Sequence, residues 1–333
     1  MKHCLFAPLN CPYYVVAPPF RKHSGGVRAM HYLCHALNLM GEEAYVLTDN
    51  VAPGLRTPKL TNPVASAHAS QGRPPIVVYP EVVPDNPMQA TNVVRFLLNT
   101  PGLLTGHPTN WQDSDLIYSM GSAIIPPGMK AELLAIPAMD YNVYNSRGTE
   151  NQQRHGKLLF INRYLSRGGK LDPFVADATE ISFRVGERTP RELADLYRSA
   201  ELLYTYEHST ACLEAMLCGC PVVYLPNDVL LHQPYEGYFG RAGWAWGNDP
   251  ALIEEAKRTV HLVAQAYEAS EATFWQQLDA FVNTTQAKAS NNLRERKPEA
   301  SSHHIRKRLI SIAVSWLIPS RFRWRRFFHG YRY

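Results

Sequence analysis

The length and composition of the chain exclude a disordered or fibrous protein: its 333 residues, 45% hydrophobic and 19% charged, are typical of a globular protein with about two domains. The net charge of +5 is confined to the end of the chain, because eight cations and no acid follow Glu299, and without those eight the charge would be −3. Six cysteines without a CxxC pair favour a reducing compartment, and no apolar run reaches the roughly 18 residues of a membrane span, so we expect a cytoplasmic protein.

Strand-like and helix-like segments alternate along the first half of the chain. Short apolar runs predict strands, and apolar residues at helical spacing predict helices. The predicted strands are 3–9, 43–48, 75–83 and 115–119, and the segment 132–140 closes the first half. The predicted helices are 27–40 and 90–100, and the Pro-rich segment 51–74 is expected to be a loop.

The same alternation restarts after a polar stretch at 144–156. Strands are predicted at 157–163, 181–187, 201–206 and 221–226, and helices at 189–200, 209–219 and within 250–284. The helix at 189–200 carries a capping box, since Glu192 lies three residues after Thr189, and Pro190 occupies its first position.

Two rounds of alternation predict two α/β domains, each with a parallel sheet covered by helices. We place the first domain at 1–147 and the second at 148–284, followed by a polar linker at 285–302 and a basic tail at 303–333. Ligands of such folds bind at the carboxyl ends of the strands.

The stretch "YEHSTACLEAMLCGCPVVYLP" at 206–226 combines acids and hydroxyls between two apolar segments. Ser209 or Thr210 is expected to cap the helix, which leaves free N–H groups that suit a phosphate. Glu214, one turn into the helix, can accept hydrogen bonds from ribose hydroxyls, and Glu207 can face a sugar. The alternative is that Ser209 only caps the helix and that both glutamates are solvated acids favoured by the helix dipole.

These residues resemble the donor-binding motif of GT-B glycosyltransferases, especially the retaining enzymes that build bacterial surface polysaccharides. The segment 24–48 is similar to the glycine-rich first loop and helix of that family, and 156–170 is similar to the first strand of its nucleotide-binding domain. Glu207 and Glu214 lie one position closer together than in the family.

The resemblance implies a GT-B fold, in which two Rossmann-like domains with parallel sheets face a cleft. It implies a nucleotide-sugar donor as substrate, no separate cofactor and no metal. The implied donor contacts are Gly25, Gly26, Arg163, Lys170, Ser209, Thr210 and Glu214. We assign the catalytic roles to Glu207 and to His107, a loop histidine of the acceptor-side domain for which a structural role is the alternative.

The predicted function is transfer of a sugar to a hydroxyl of a growing surface glycan, such as lipopolysaccharide or capsule. Two rival functions are a nucleotide-sugar epimerase on the same fold and a non-catalytic, membrane-associated subunit of a glycan-assembly system. Two metal sites are weighed and not favoured: the Asp-Ser-Asp of 113–115, and the His31–His35 pair on one helix face.

The tail mixes eight cations with apolar and aromatic residues such as Trp316, Phe322 and Trp324. This pattern is typical of an interfacial membrane anchor, since anionic lipid attracts each such cation by about 1 kcal/mol. We therefore expect residues 303–333 to bind the anionic cytoplasmic face of the inner membrane. A tail packed on the body is the alternative, and nucleic acid is disfavoured because the charge is confined to the tail.

Overall fold

A computed structural model describes residues 10–22, 24–106, 108–149, 152–228, 230, 233 and 240–295. These residues form two compact units: unit 1 contains the described residues up to Ile136 and from Thr273 onward, and unit 2 contains those within Pro137–Ala272. The predicted strand at 3–9, the predicted catalytic His107 and the basic tail at 303–333 lie outside the described residues.

Unit 1 is built on a six-stranded parallel sheet with the order β2-β1-β3-β4-β5-β6. The strands are β1 Tyr13–Val16, β2 Ala44–Leu47, β3 Ile76–Pro80, β4 Asn92–Leu97, β5 Leu116–Ser119 and β6 Glu132–Leu133. Helix α1, Gly25–Leu39, buries the predicted apolar stripe that includes Val27, Met30 and Leu33. Helix α2, Asn62–Ser70, lies between β2 and β3.

Two sequence expectations for unit 1 are wrong, and one strand was not predicted. The predicted helix at 90–100 contains strand β4, whose six residues are all buried. A central parallel strand is apolar on both faces, so its pattern can be mistaken for a helix. Strand β1 was missed because prolines flank it, although Tyr13–Val16 has the residue types of a strand. Helix α2 interrupts the expected loop at 51–74, with Pro63 in its first turn.

Unit 2 contains a five-stranded parallel sheet with the order β11-β10-β9-β7-β8. Its strands are β7 Lys157–Phe160, β8 Thr179–Glu180, β9 Leu202–Thr205, β10 Val222–Tyr224 and β11 Trp244–Trp246. Its helices are α3 Pro190–Ser199, α4 Thr210–Leu217 and α5 Pro250–Thr259. The predicted α/β class with two parallel sheets is therefore confirmed.

Local signals of unit 2 agree with the structure except at one strand. The capping box of α3 is formed, with the Thr189 side chain accepting from the Glu192 N–H and the Glu192 carboxylate accepting from the Thr189 N–H. The predicted strand at 181–187 is wrong: pairing ends at Glu180, and Phe183–Val185 is a 3-10 turn closed by Gly186. Gly186 has a φ of +127°, which only glycine adopts freely.

The long helix α6, Leu262–Glu295, includes residues 285–295 of the expected linker. Residues 285–295 are polar, but side chains of this part of the helix contact strands of unit 1 and hold it against the sheet. The Thr285 hydroxyl lies 2.7 Å from the Tyr13 hydroxyl, and the Phe281 ring is tilted against Tyr13 and edge-on to Tyr118. Unit 1 resumes at Thr273, and the two units divide after Ile136. Along the described part of the chain, no helix is both long and apolar enough to cross a membrane.

Candidate functional site

Each sheet has a topological switch point, where the next two strands of the chain are added on opposite sides of one strand. In unit 2, β7 is followed by β8 on one side and then by β9 on the other. In unit 1, β1 is followed by β2 on one side and then by β3 on the other. The segments that leave the two diverging strands open a crevice at such a switch point, where ligands of parallel α/β sheets bind.

Glu207 organises the switch point of unit 2. Its side chain is only 3% exposed, and it accepts hydrogen bonds from the backbone N–H groups of Asn162 and Arg163, the residues that follow β7. It also pairs with the Arg163 guanidinium, whose Nε lies 2.8 Å from Oε2. These contacts join the ends of β7 and β9. The predicted catalytic role of Glu207 stays a prediction, while the contacts give it a positioning role.

Arg163 is oriented by two acceptors and still reaches solvent. Nε binds Glu207, and Nη2 donates to the backbone oxygen of His208 at 3.0 Å. The side chain is 32% exposed, and within the described ranges no group accepts a hydrogen bond from its Nη1. A guanidinium that is bound along one edge and solvent-exposed along another can donate to an anion while it keeps its hydrogen bonds to the protein.

Helix α4 begins beside this arginine. Ser209 is its N-cap, with the side-chain oxygen accepting from the Ala211 N–H at 3.2 Å, and Thr210 is its first residue. Both residues are partly exposed. The first turn of a helix carries N–H groups without intrahelical acceptors and a partial positive charge, which favour a bound anion. The predicted cap is therefore confirmed, and it lies next to Arg163.

Glu214 is buried in the same helix, at 5% exposure. Burial first, and then the nearby charge of Glu214, raise the pKa of the Tyr197 hydroxyl on α3. The Glu214 carboxylate therefore lies close to the α3 side of unit 2. Its predicted contact with a ribose stays a prediction, as does the contact of Lys170 with a diphosphate. Lys170 is exposed, in the segment that follows β7.

The predicted glycines belong to unit 1. Gly25 and Gly26 open helix α1 after the N-cap Ser24. A Cβ on Gly26 would lie 3.4 Å from Cδ1 of Leu98, so the helix start is close to the segment after β4. Their predicted contact with donor phosphates stays a prediction.

Glu81 is a buried acid at the carboxyl end of β3, on the switch point of unit 1. It is 4% exposed and accepts from the Leu98 N–H at 3.1 Å, which connects it to the segment that packs on Gly26. Burial raises the pKa of this carboxyl to about 7, against a partial opposing effect of the backbone hydrogen bonds. Glu81 can therefore exchange a proton near neutral pH.

We expect Glu81 to make the stability of the protein depend on pH. Its pKa in the folded state is above the ordinary glutamate value of 4.5, so its contribution is fully present below pH 4.5 and is lost as pH rises through 7. The Glu81→Gln variant lacks this loss. Its free energy of unfolding relative to wild type should rise by roughly 3 kcal/mol over this range and stay constant above it. Urea unfolding at several pH values measures this, and a constant difference between the two proteins would contradict it.

The residues of the two disfavoured metal sites have other contacts. Asp115 forms a buried ion pair with Arg95 at 2.7 Å. His31 is buried with Nε2 at 3.1 Å from the Pro18 oxygen, and the His35 Nδ1 accepts from the Arg56 N–H. In the part of the chain that the structure describes, no cluster of three or more His, Cys, Asp or Glu residues could hold a metal ion.

The structure thus brings Arg163, Glu207, Ser209 and Thr210 together in unit 2, whereas Gly25 and Gly26 lie in unit 1. Sequence reasoning missed Tyr164 and Tyr206, whose rings stack beside this cluster. A signal was present, since Tyr206 directly precedes Glu207 at the end of a predicted strand.

No family model and no curated protein matches the chain. Solved structures do match, and they include glycosyltransferases. Sucrose-phosphate synthase from Thermosynechococcus elongatus is 14% identical, with a TM-score of 0.49, covering 84% of this chain and 99% of its own. The glycosyltransferase SnogD from Streptomyces nogalater is 16% identical, with a TM-score of 0.42, covering 85% and 99%. T4 phage BGT in complex with UDP and Mn²⁺ is 10% identical, with a TM-score of 0.44, covering 83% and 99%. Values this low assign neither an activity nor a substrate to this chain.

Proposed function

We propose that the protein is a GT-B glycosyltransferase that takes a sugar from a nucleotide-sugar donor. The diphosphate of the donor would bind at the switch point of unit 2. The observation that carries the proposal is the Arg163 guanidinium, held by Glu207 beside the capped start of α4. Two kinds of positive charge meet there, a side-chain cation and a helix N-terminus, and both are typical of phosphate binding.

The same groups supply the chemistry of transfer. When the bond to the sugar breaks, negative charge develops on the diphosphate that leaves. Arg163 and the first-turn N–H groups of α4 would stabilise that charge in the transition state more than in the bound donor. Glu207 would act through Arg163, because its carboxylate fixes the guanidinium before the donor arrives. Lys170 and Glu214 remain the proposed further contacts, to the diphosphate and the ribose.

A donor screen tests this function. Wild-type protein is mixed with single nucleotide sugars of each base, and the unfolding midpoint is measured, since a bound donor stabilises the folded state. The stabilising donor is then incubated with and without glycolipid from bacterial membranes. We expect nucleoside diphosphate to be released only when acceptor is present, in EDTA as well as in Mg²⁺. Conversion of the donor to an epimer without acceptor, or the absence of any stabilising donor, would contradict the proposal.

We further propose that the acceptor is a growing surface glycan, with retention of configuration at the transferred sugar, and that the protein works on the cytoplasmic face of the inner membrane. The support is the motif at 206–226 and the basic, aromatic tail at 303–333. A chain that ends at residue 300 should no longer sediment with anionic phosphatidylglycerol vesicles, whereas the full chain should. Equal sedimentation of both would contradict the role of the tail.

A further inference from the structure

The segment that follows β7 carries three cations within eight residues: Arg163, Arg167 and Lys170. We call 163–170 the cationic segment. Arg167 and Lys170 are exposed. Exposed cations on a free loop bind an anion weakly, because their side chains and backbone must be ordered on binding. The contribution of this segment to binding therefore depends on what holds its backbone in place.

Three residues hold it, and we call them the brace: Tyr206, Tyr164 and Gly169. The rings of Tyr164 and Tyr206 are stacked, with centroids 4.5 Å apart and an interplanar angle of 7°. Gly169 lies so close to the Tyr164 ring that a Cβ built on it would come within 2.5 Å of three ring carbons. A side chain at 169 is therefore incompatible with the present position of the ring.

Hydrogen bonds connect the brace to the end of the segment and to Asp172 beyond it. The Tyr164 hydroxyl donates to the backbone oxygen of Lys170 at 3.0 Å, and the Gly169 N–H donates to the backbone oxygen of Tyr164 at 3.0 Å. Beyond the segment, the Tyr206 hydroxyl donates to Oδ2 of Asp172 at 2.7 Å and accepts from its N–H at 2.9 Å. Burial raises the pKa of the Tyr206 hydroxyl, so it stays protonated and able to donate.

The end of β9 thus orders the cationic segment through two neighbouring residues. Glu207 binds its first residue, and Tyr206 stacks on its second. We propose that the brace is a positioning element that presents the cations of 163–170 to the diphosphate of a nucleoside diphosphate. This inference rests on the proposed function. The brace binds no ligand itself, and it removes the need to order the segment during binding.

The test compares variants that break the stack with one that keeps it. Gly169→Ala and Tyr164→Leu disrupt the packing of the Tyr164 ring between Tyr206 and the Gly169 backbone. Tyr164→Phe retains the ring and loses only its hydroxyl. UDP, GDP, ADP, CDP and dTDP are titrated into wild type, and the tightest is used for all variants at several salt concentrations. We expect about tenfold weaker binding at low salt for the two stack-breaking variants, equivalent to ordering one or two long side chains on binding.

Salt dependence separates positioning from a general structural defect. If displaced cations no longer reach the diphosphate, binding by Gly169→Ala and Tyr164→Leu should depend less on salt than binding by wild type. Tyr164→Phe should keep the salt dependence and lie within about threefold of wild type. Tyr206→Phe, which keeps the stack but loses both contacts to Asp172, serves if the other variants do not fold, and it should bind between these limits.

The outcomes distinguish this inference from the proposed function. If wild type binds a nucleoside diphosphate and Arg163→Ala does not, but the stack-breaking variants bind with wild-type affinity and salt dependence, the brace has no positioning role. Loss of binding in Tyr164→Phe equal to that in Tyr164→Leu would also overturn it. If wild type binds none of the five nucleotides, the proposed donor site is wrong, and the inference falls with it.

Discussion

Replacing Glu207 with alanine should destabilise unit 2 by roughly 2–4 kcal/mol. The carboxylate is buried and accepts from two backbone N–H groups and from a guanidinium. Removing one partner of a buried pair costs about 3–5 kcal/mol, and each buried donor left unsatisfied costs about 1–3 kcal/mol. Our value is lower because Arg163 is 32% exposed and water can solvate it. Denaturant unfolding measures the change, and a loss under 0.5 kcal/mol would contradict the described contacts.

Glu207→Gln is the matched control for this variant. The amide oxygen can still accept from the N–H groups of Asn162 and Arg163, but the amide nitrogen cannot accept from the Arg163 guanidinium. We expect a smaller loss of stability than in Glu207→Ala, with weaker binding of the nucleoside diphosphate. If Glu207→Gln instead binds the nucleotide normally and has lost turnover, the catalytic role predicted from the sequence is supported over the positioning role.

Replacing Arg163 with alanine should weaken binding of the nucleoside diphosphate by about 10- to 100-fold. Hydrogen bonds to charged groups contribute about 1.5–3 kcal/mol, and each 1.4 kcal/mol corresponds to a factor of ten in affinity. Arg163→Lys should recover only part of this, because an ammonium group cannot bind Glu207, the His208 oxygen and a phosphate in one fork. Isothermal titration measures the affinities.

A control for charge alone is available in the same unit. Arg258 on α5 is exposed and pairs with Glu255 three residues earlier. Arg258→Ala removes one positive charge from unit 2 without touching the switch point. Its affinity for the nucleotide should equal that of wild type within about twofold, since screening limits the effect of distant surface charges. Equal losses in the Arg163 and Arg258 variants would mean that net charge, and not a site, binds the nucleotide.

The elements with local signals could be predicted from the sequence. Thr189 and Glu192 marked the start of α3, and Ser209 marked the start of α4. Strand β4 could not be distinguished from a helix by its sequence. Val93, Val94 and Phe96 are all buried, and the sequence does not show which distant segments pack against them. Partners far apart in sequence decide such cases.

In the site, too, local features could be predicted from the sequence and long-range contacts could not. The motif at 206–226 predicted that Ser209, Thr210 and Glu207 would lie near a strand end, and the structure places them there. The sequence did not show that the Glu207 carboxylate turns inward to bind Arg163, because that contact joins residues 44 positions apart. The stack of Tyr164 on Tyr206 was hidden for the same reason.

The central claim is that the switch point of unit 2 binds the diphosphate of a nucleotide sugar. A crystal structure of the full chain with the tightest of the five nucleoside diphosphates tests it most directly. We predict phosphate oxygens within hydrogen-bonding distance, about 3 Å, of the Arg163 guanidinium and of the first-turn N–H groups of α4. A nucleotide bound elsewhere, with Arg163 still contacting only Glu207 and the His208 oxygen, would contradict the account.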